Sequence, residues 1–339
     1  MVSGILTVFS SLLPRGKFCP TPSLVSQPGF FSLNFSYRIV SMNISDLFKY
    51  KKVLFSLEIF PPKKDSPYNV IYNSLLKMRG IPADFISVTY GAGGSAAQRD
   101  KTVEIASLIR TTYHVEPVAH LTCVNNNRDQ IDHLLEQLRA NHIQNIMVLR
   151  GDITPTAELS DDFRYASDLA AYIKKADPGF NLLGACYPEI HYQAATMDED
   201  IANLKYKIDA GVTQLATQLF FDNEKFYAFL DKIARANITI PISAGIMPIT
   251  SLNQIERTVA LSGASVPHKM ARMFSRYSDS PKALFDAGIH YAIEQIVDLI
   301  DHDVQGIHLY TMNNVETATR ISDAIQNLLD AENLPRINT

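Results

Sequence analysis

The stretch Val53-Leu54-Phe55-Ser56-Leu57-Glu58-Ile59-Phe60-Pro61-Pro62 decides the architecture. It is short, apolar and rich in strand formers. Two prolines end it, because proline can neither donate to a ladder nor continue a helix. An open doubly wound sheet that binds a dinucleotide favours a Gly-x-Gly-x-x-Gly turn after its first strand. This strand runs instead into Glu-Ile-Phe-Pro-Pro.

Downstream, strand-like runs recur at 85–90, 116–121, 146–149, 182–186, 213–220, 240–245 and 307–310. Helical spacing separates them, at 68–78, 99–110, 128–140, 167–176, 197–210, 224–236, 252–261 and 281–300, and closes the chain at 317–328. In 128–140, for example, Ile131, Leu134, Leu135 and Leu138 share one face. Eight β-then-α units predict an α/β chain of one domain, a (β/α)8 TIM barrel. The strands are apolar on both faces, as helices covering a parallel barrel require.

The chain has 339 residues, 46% of them apolar, enough for a large core. A formal charge of -4 and the lack of a Lys/Arg stripe argue against nucleic acid. Cys19, Cys123 and Cys186 have neither disulfide-framework nor metal-ligand spacing, and read as small apolar residues in a reducing, cytoplasmic setting. Residues 1–41 carry Arg15, Lys17 and Arg38 and no acid. They read as an upstream extension before Met42, as a disordered arm, or as a transit-like leader, with no span long enough for a membrane. The barrel is expected over 42–339.

A barrel carries its chemistry at the carboxyl ends of its strands. Glu58, Thr89, Tyr90, His120, Arg150, Asp152, Glu189, His191, Gln218 and Tyr310 fall there. Polar groups are costly to bury unless paired, hydrated or facing a ligand, so this rim reads as a site. Glu58 stands in an otherwise apolar strand, where a carboxyl is expected to have a raised pKa and to serve as a general acid. The plainer reading is a strand-mouth glutamate paired with Lys63. His120 and His191 lack the spacing of a metal site. The loop Gly91-Ala92-Gly93-Gly94 either cradles phosphate or turns the chain. Asp200, Asn203 and Lys207 share a helix face, either solvated or reaching a nucleotide.

Nine ordered segments between Phe55 and Leu328 resemble the catalytic barrel of bacterial-type methylenetetrahydrofolate reductases. They include Phe55–Pro62, Ser87–Gly94, Leu149–Asp152, Tyr187–His191, Asn203–Gly211 and His308–Asn313. The resemblance implies noncovalent FAD, reduced by NADH or NADPH. It also implies ping-pong reduction of 5,10-methylenetetrahydrofolate to 5-methyltetrahydrofolate, supplying methyl groups for methionine synthesis. Glu58 matches the acid that opens the folate ring to a 5-iminium cation, and Asp152 the flavin aspartate. Thr89, Tyr90, Ala92, His120, Arg150, Gly151, Tyr165, Ala166, Asp168, Asp200, Asn203, Tyr206 and Lys207 match flavin-side positions. Gln218, Gln254, Phe221 and Asn314 fall on the substrate side, and a homo-oligomer is implied.

Three positions depart from the family pattern. Asn314 stands where an arginine usually follows the last strand, which removes a guanidinium clamp for the substrate tail. Thr258 replaces a bulkier apolar residue, and Tyr206 a frequent arginine. Lys269, Arg272 and Arg276 are candidates to compensate. Other readings remain: a flavin barrel acting on another cyclic amine or an enone, a flavin-binding protein without turnover, and a phosphate-binding barrel without flavin.

Overall fold

A computed structural model of the chain describes residues 42–62, 69–90, 96–153 and 161–334. Its strands are β1 (Leu54–Ile59), β2 (Phe85–Val88), β3 (Glu116–Thr122), β4 (Asn145–Leu149), β5 (Asn181–Cys186), β6 (Val212–Thr217), β7 (Ile242–Ile246) and β8 (Gly306–Tyr310). Each pairs in parallel with the next, and β8 returns to β1 from Leu54↔Gly306 to Glu58↔Tyr310. The sheet is therefore a closed barrel, as the rhythm of the sequence predicts. From Ser41 onwards the chain forms one compact unit. The expectations for residues 1–41 lie outside the described residues.

The helices are α1 (Ile44–Leu47), α2 (Asn69–Met78), α3 (Ala96–Leu108), α4 (Arg128–Ala140), α5 (Ala166–Ala176) and α6 (Met197–Asp209). They continue with α7 (Asn223–Arg235), α8 (Leu252–Ser262), α9 (His268–Tyr277), α10 (Pro281–Asp301) and α11 (Val315–Asn333). Short polar side chains start many of them. At α4 the Asn127 side chain accepts the Gln130 amide at 3.0 Å, and the Gln130 side chain accepts the Asn127 amide at 2.8 Å. None of the helices is long and apolar enough to cross a membrane, among the described residues.

Strand alternation divides the core in two. Phe55, Leu57 and Ile59 of β1 pack outward in the main cluster beneath the helices. Leu54, Phe85, Val118, Met147, Leu183 and Ala216 fill the barrel interior and pack against Ile44 of α1. That short helix stops the amino end of the barrel. Asn145 accepts the Ile44 amide at 2.9 Å and donates to the Met42 carbonyl at 3.0 Å, while Ser45 donates to Asn181 at 3.0 Å. Buried amides at the barrel floor thus pair with backbone that would otherwise be unsatisfied.

Helix α9 is absent from the sequence expectations. Its Met270 and Phe274 pack with Leu219, Phe221, Ile249, Ala264 and Leu284 against the β6–β7 rim. The signal was present in the spacing of Met270, Met273, Phe274 and Tyr277, within a segment otherwise rich in cations. Cys123 and Cys186 are buried free thiols, as expected.

Candidate active site

Glu58 faces inward at the mouth of the barrel and is 7% exposed. Its apolar sequence neighbours, Leu57 and Ile59, point to the helices, so they do not form its surroundings. The groups around its carboxylate are two imidazoles. His308 Nε2 lies 3.4 Å from Glu58 Oε2, and His120 Nε2 lies 3.6 Å from the same oxygen. The expectation of a carboxyl isolated in apolar surroundings is therefore corrected, because the strand period is two. Lys63, the alternative partner, lies outside the described residues. Burial pushes the His120 pKa down to about 4, against the pull of the Glu58 charge, so this imidazole is neutral near pH 7.

Tyr310 closes the far side of this pocket, its hydroxyl donating to the Thr217 carbonyl at 2.6 Å. Burial, then the charge of Glu58, raises its pKa well above the usual value, so it stays a phenol. Gly245 makes room for that contact: a Cβ there would stand 2.3 Å from the Thr217 carbonyl oxygen and 2.8 Å from the Tyr310 ring.

A cavity of about 380 Å³ opens beside the ends of β4 and β5, against α5 and α6. Arg150, Tyr165 and Ala166 line one wall, and Asp200, Asn203, Tyr206 and Lys207 the other. The shared face of α6 is thus turned to a cavity as well as to solvent. Lys207 Nζ donates to the Ala185 carbonyl at 2.5 Å, and burial lowers its pKa. Arg150 donates to Tyr192 at 2.7 Å and also to Gln193. His191 stands edge-on to Tyr187 at 4.6 Å and stacks on Tyr192 at 4.6 Å, giving the cavity an aromatic side. Its amide donates to the Asp200 carboxylate at 2.8 Å.

Other expected positions stand apart from this lining. Gly151 adopts φ +87°, and a Cβ there would come within 3.1 Å of Thr122 Cβ. Asp152 beyond it is exposed, and its charge reaches Tyr187. The Asp168 carboxylate accepts the amides of Arg164 at 3.0 Å and Tyr165 at 2.9 Å, so it starts α5. Tyr90 donates to Asn126 at 3.0 Å. Ala92 and the glycine-rich loop lie outside the described residues.

On the opposite rim, Gln218 is half-buried, its side-chain oxygen accepting the Leu219 amide at 2.9 Å. Gln254 is committed to its own loop, accepting from Thr250 N at 2.9 Å and donating to the Pro248 carbonyl at 2.9 Å. Phe221 is packed in the core beside α9. Asn314 caps α11, accepting the Thr317 amide at 3.1 Å. The residue at the arginine position therefore has a structural duty of its own. Lys269 pairs with Glu294, on the solvent side of α9.

Sequence reasoning missed His308, Ser56, Ser87 and the Tyr192–Gln193 pair. For His308 the signal was available: Gly306, His308 and Tyr310 form the inward set of β8 by alternation. The loop pair left no such trace, because its contacts depend on where Arg150 is placed.

A family model described as methylenetetrahydrofolate reductase matches residues 43–326. Methylenetetrahydrofolate reductase 1 of Schizosaccharomyces pombe is 35% identical over 295 residues, covering 85% of this chain and 48% of that protein. The 5,10-methylenetetrahydrofolate reductase of Escherichia coli K12 is 32% identical over 266 residues, covering 78% of this chain and 88% of the other. The chain thus spans about half the length of the yeast relative and most of the bacterial one. Among solved structures, an uncharacterized Clostridium thermocellum protein that binds two copies of 5-methyl-5,6,7,8-tetrahydrofolic acid superposes with a TM-score of 0.62 at 14% identity. That likeness covers 85% of this chain and all of the other, and it supports the barrel fold alone. With the matched region running from α1 through β8 into α11, the chain belongs to the methylenetetrahydrofolate reductase family.

Proposed function

We propose that this chain reduces 5,10-methylenetetrahydrofolate to 5-methyltetrahydrofolate with FAD and a nicotinamide nucleotide. The observation that carries the proposal is Glu58, an inward carboxylate at the mouth of a barrel of this family. The residues present suit a flavin dinucleotide. Arg150 and Lys207 supply cations for an anionic linker, Asn203 and Asp200 supply polar contacts for a sugar, and Tyr165, Tyr187 and His191 supply aromatic surface. Thr89 adds a buried hydroxyl with no hydrogen-bond partner among the described residues, at the same rim.

When bound, FAD supplies hydride transfer between the nicotinamide and the folate carbon. The protein's part is proton placement and orientation. Glu58 gives a proton to the folate amine nitrogen as the ring opens, and the carboxylate left behind faces the cationic folate. Asp152 adds a second negative charge at the rim, which favours a cation there and disfavours further negative charge on the flavin. Gln218 presents an amide toward the substrates from the opposite side. Asn314 and Thr258 leave the far end of the folate without the family's usual clamp.

NADH is the first reductant to test, since an Arabidopsis thaliana relative named methylenetetrahydrofolate reductase (NADH) 1 is 34% identical over 281 residues, or 79% of this chain and 47% of that one. Purified protein should carry a flavin spectrum that bleaches with NADH or NADPH under anaerobic conditions and returns on addition of methylenetetrahydrofolate. Bleaching without folate-dependent return would overturn the assignment.

A further inference from the structure

Glu189 stands on the connection between β5 and α6, and the chemistry proposed above gives it no part. Its carboxylate reaches the connection between α8 and α9, two strands further round the barrel. Oε1 accepts the Ser265 amide at 3.1 Å, and Oε2 accepts the same amide at 3.2 Å and the Ser265 hydroxyl at 2.5 Å. Two connections on different sides of the mouth are thereby tied together.

Ile190 follows with φ +70°, a left-handed conformation that a β-branched residue rarely adopts. Such strain persists only where the surroundings hold it. Both neighbours are held. Glu189 is tied to Ser265, while the His191 amide donates to Asp200 of α6 at 2.8 Å and the His191 ring packs on Tyr187 and Tyr192. His191 also lines the large cavity. Freeing Glu189 lets Ile190 relax and carries His191 with it, so the two contacts act as one.

From Ser265 the ties run on into α8. The Ala264 amide donates to the Ser262 hydroxyl at 3.1 Å, and that hydroxyl donates to the Thr258 carbonyl at 2.8 Å. Ala264 itself is buried beside Leu219, Phe221 and Met270. Thr258 stands one turn from Gln254 on α8, the helix that the function proposed above puts beside folate.

We propose that Glu189 is a positioning residue that joins the two walls of the site. Through Ser265 it sets where α8 stands for folate relative to the cavity that His191 lines. It acts through other residues and needs no contact of its own with either ligand. The role rests on the function proposed above, because it matters only where the cavity and α8 serve one reaction.

Two measurements on the full chain test it. Hydrogen exchange read by mass spectrometry needs no turnover. Glu189→Ala should speed exchange of the amides in 263–266 by about fivefold, and Glu189→Gln, which still accepts, should recover most of that protection. Ser265→Ala leaves Glu189 and its neighbours unsubstituted, yet should speed exchange in 190–193 by about threefold. Unchanged exchange in 263–266, or an effect of Ser265→Ala confined to its own segment, would overturn the proposal. The second measurement is kinetic, with FAD saturating. In Glu189→Ala the KM for methylenetetrahydrofolate should rise about fivefold while flavin reduction by NADH stays within about twofold of the parent, and Glu189→Gln should restore the KM. Equal loss in both half-reactions would mean a merely structural tie and would also overturn it. If the unsubstituted protein shows no folate-dependent reoxidation, the functional assignment fails and this role with it. A working parent whose folate KM ignores Glu189→Ala overturns the role alone.

Discussion

His308 Nε2 and Glu58 Oε2 lie 3.4 Å apart on the adjacent strands β8 and β1, although 250 positions separate the two residues in the chain. Closure of the barrel makes them neighbours. Carboxylate and imidazole therefore meet only when the eighth strand has paired with the first, which ties this contact to the completed fold.

Glu58→Gln keeps the shape of the side chain and removes its transferable proton. Reduction of bound flavin by the nicotinamide nucleotide should persist, and reoxidation by methylenetetrahydrofolate should fall by roughly 10²–10⁴-fold, the range for loss of a general acid. Anaerobic stopped-flow absorbance separates the two halves. Comparable loss in both would remove Glu58 from the acid role.

Lys207→Met keeps the stem and deletes the ammonium that donates to the Ala185 carbonyl inside the large cavity. FAD affinity should weaken by about tenfold or more, since a hydrogen bond to a charged group contributes about 1.5–3 kcal/mol. Flavin fluorescence titration reads this directly. Unchanged affinity would place the flavin elsewhere.

Asn314→Ala removes the cap of α11 and should cost about 1 kcal/mol, lowering Tm by about 2 °C, with little effect on flavin reduction. Asn314→Arg should lose the same cap while lowering the KM for folate, because a guanidinium returns to the clamp position. Thermal unfolding and steady-state kinetics together distinguish the two effects. A folate KM unmoved by the arginine would show that the tail is held from another side.

The buried, neutral His120 makes stability depend on pH. Its pKa drops from 6.5 in the free side chain to about 4 in the fold, so the unfolded chain binds the extra proton between those values. Its contribution is complete above pH 6.5 and is lost as pH falls toward about 4, by about 3 kcal/mol. Urea unfolding at pH 4.5 and pH 7 should therefore show a smaller acid loss in His120→Gln than in the parent. Equal losses would mean that the ring is charged in the fold.

Much of this was legible in the chain because a parallel barrel writes itself as short apolar runs between amphipathic ones. The limits were local and physical. Glu58 drew notice through Leu57 and Ile59, which face the other way, while the side chains that surround it come from β3 and β8. Alternation along β8 would have exposed His308, but a lone histidine in Ile-His-Leu-Tyr resembles a core residue. Helix α9 hid behind its cations. Asn314 read as a missing substrate contact, and its function as a cap appears only where β8 ends and α11 begins. Gln254 likewise holds its own loop, through bonds no spacing could announce.

The short helix α1 has a consequence for timing. Ile44 seals one end of the barrel, and Leu54, Phe85, Val118, Met147 and Leu183 fill the space above it. Among the described residues the amino end of the interior is thus stopped, and Glu58 stands toward the other end. On the function proposed above, a proton given to substrate is replaced from that other end, so the acid is recharged in the interval between one occupant and the next.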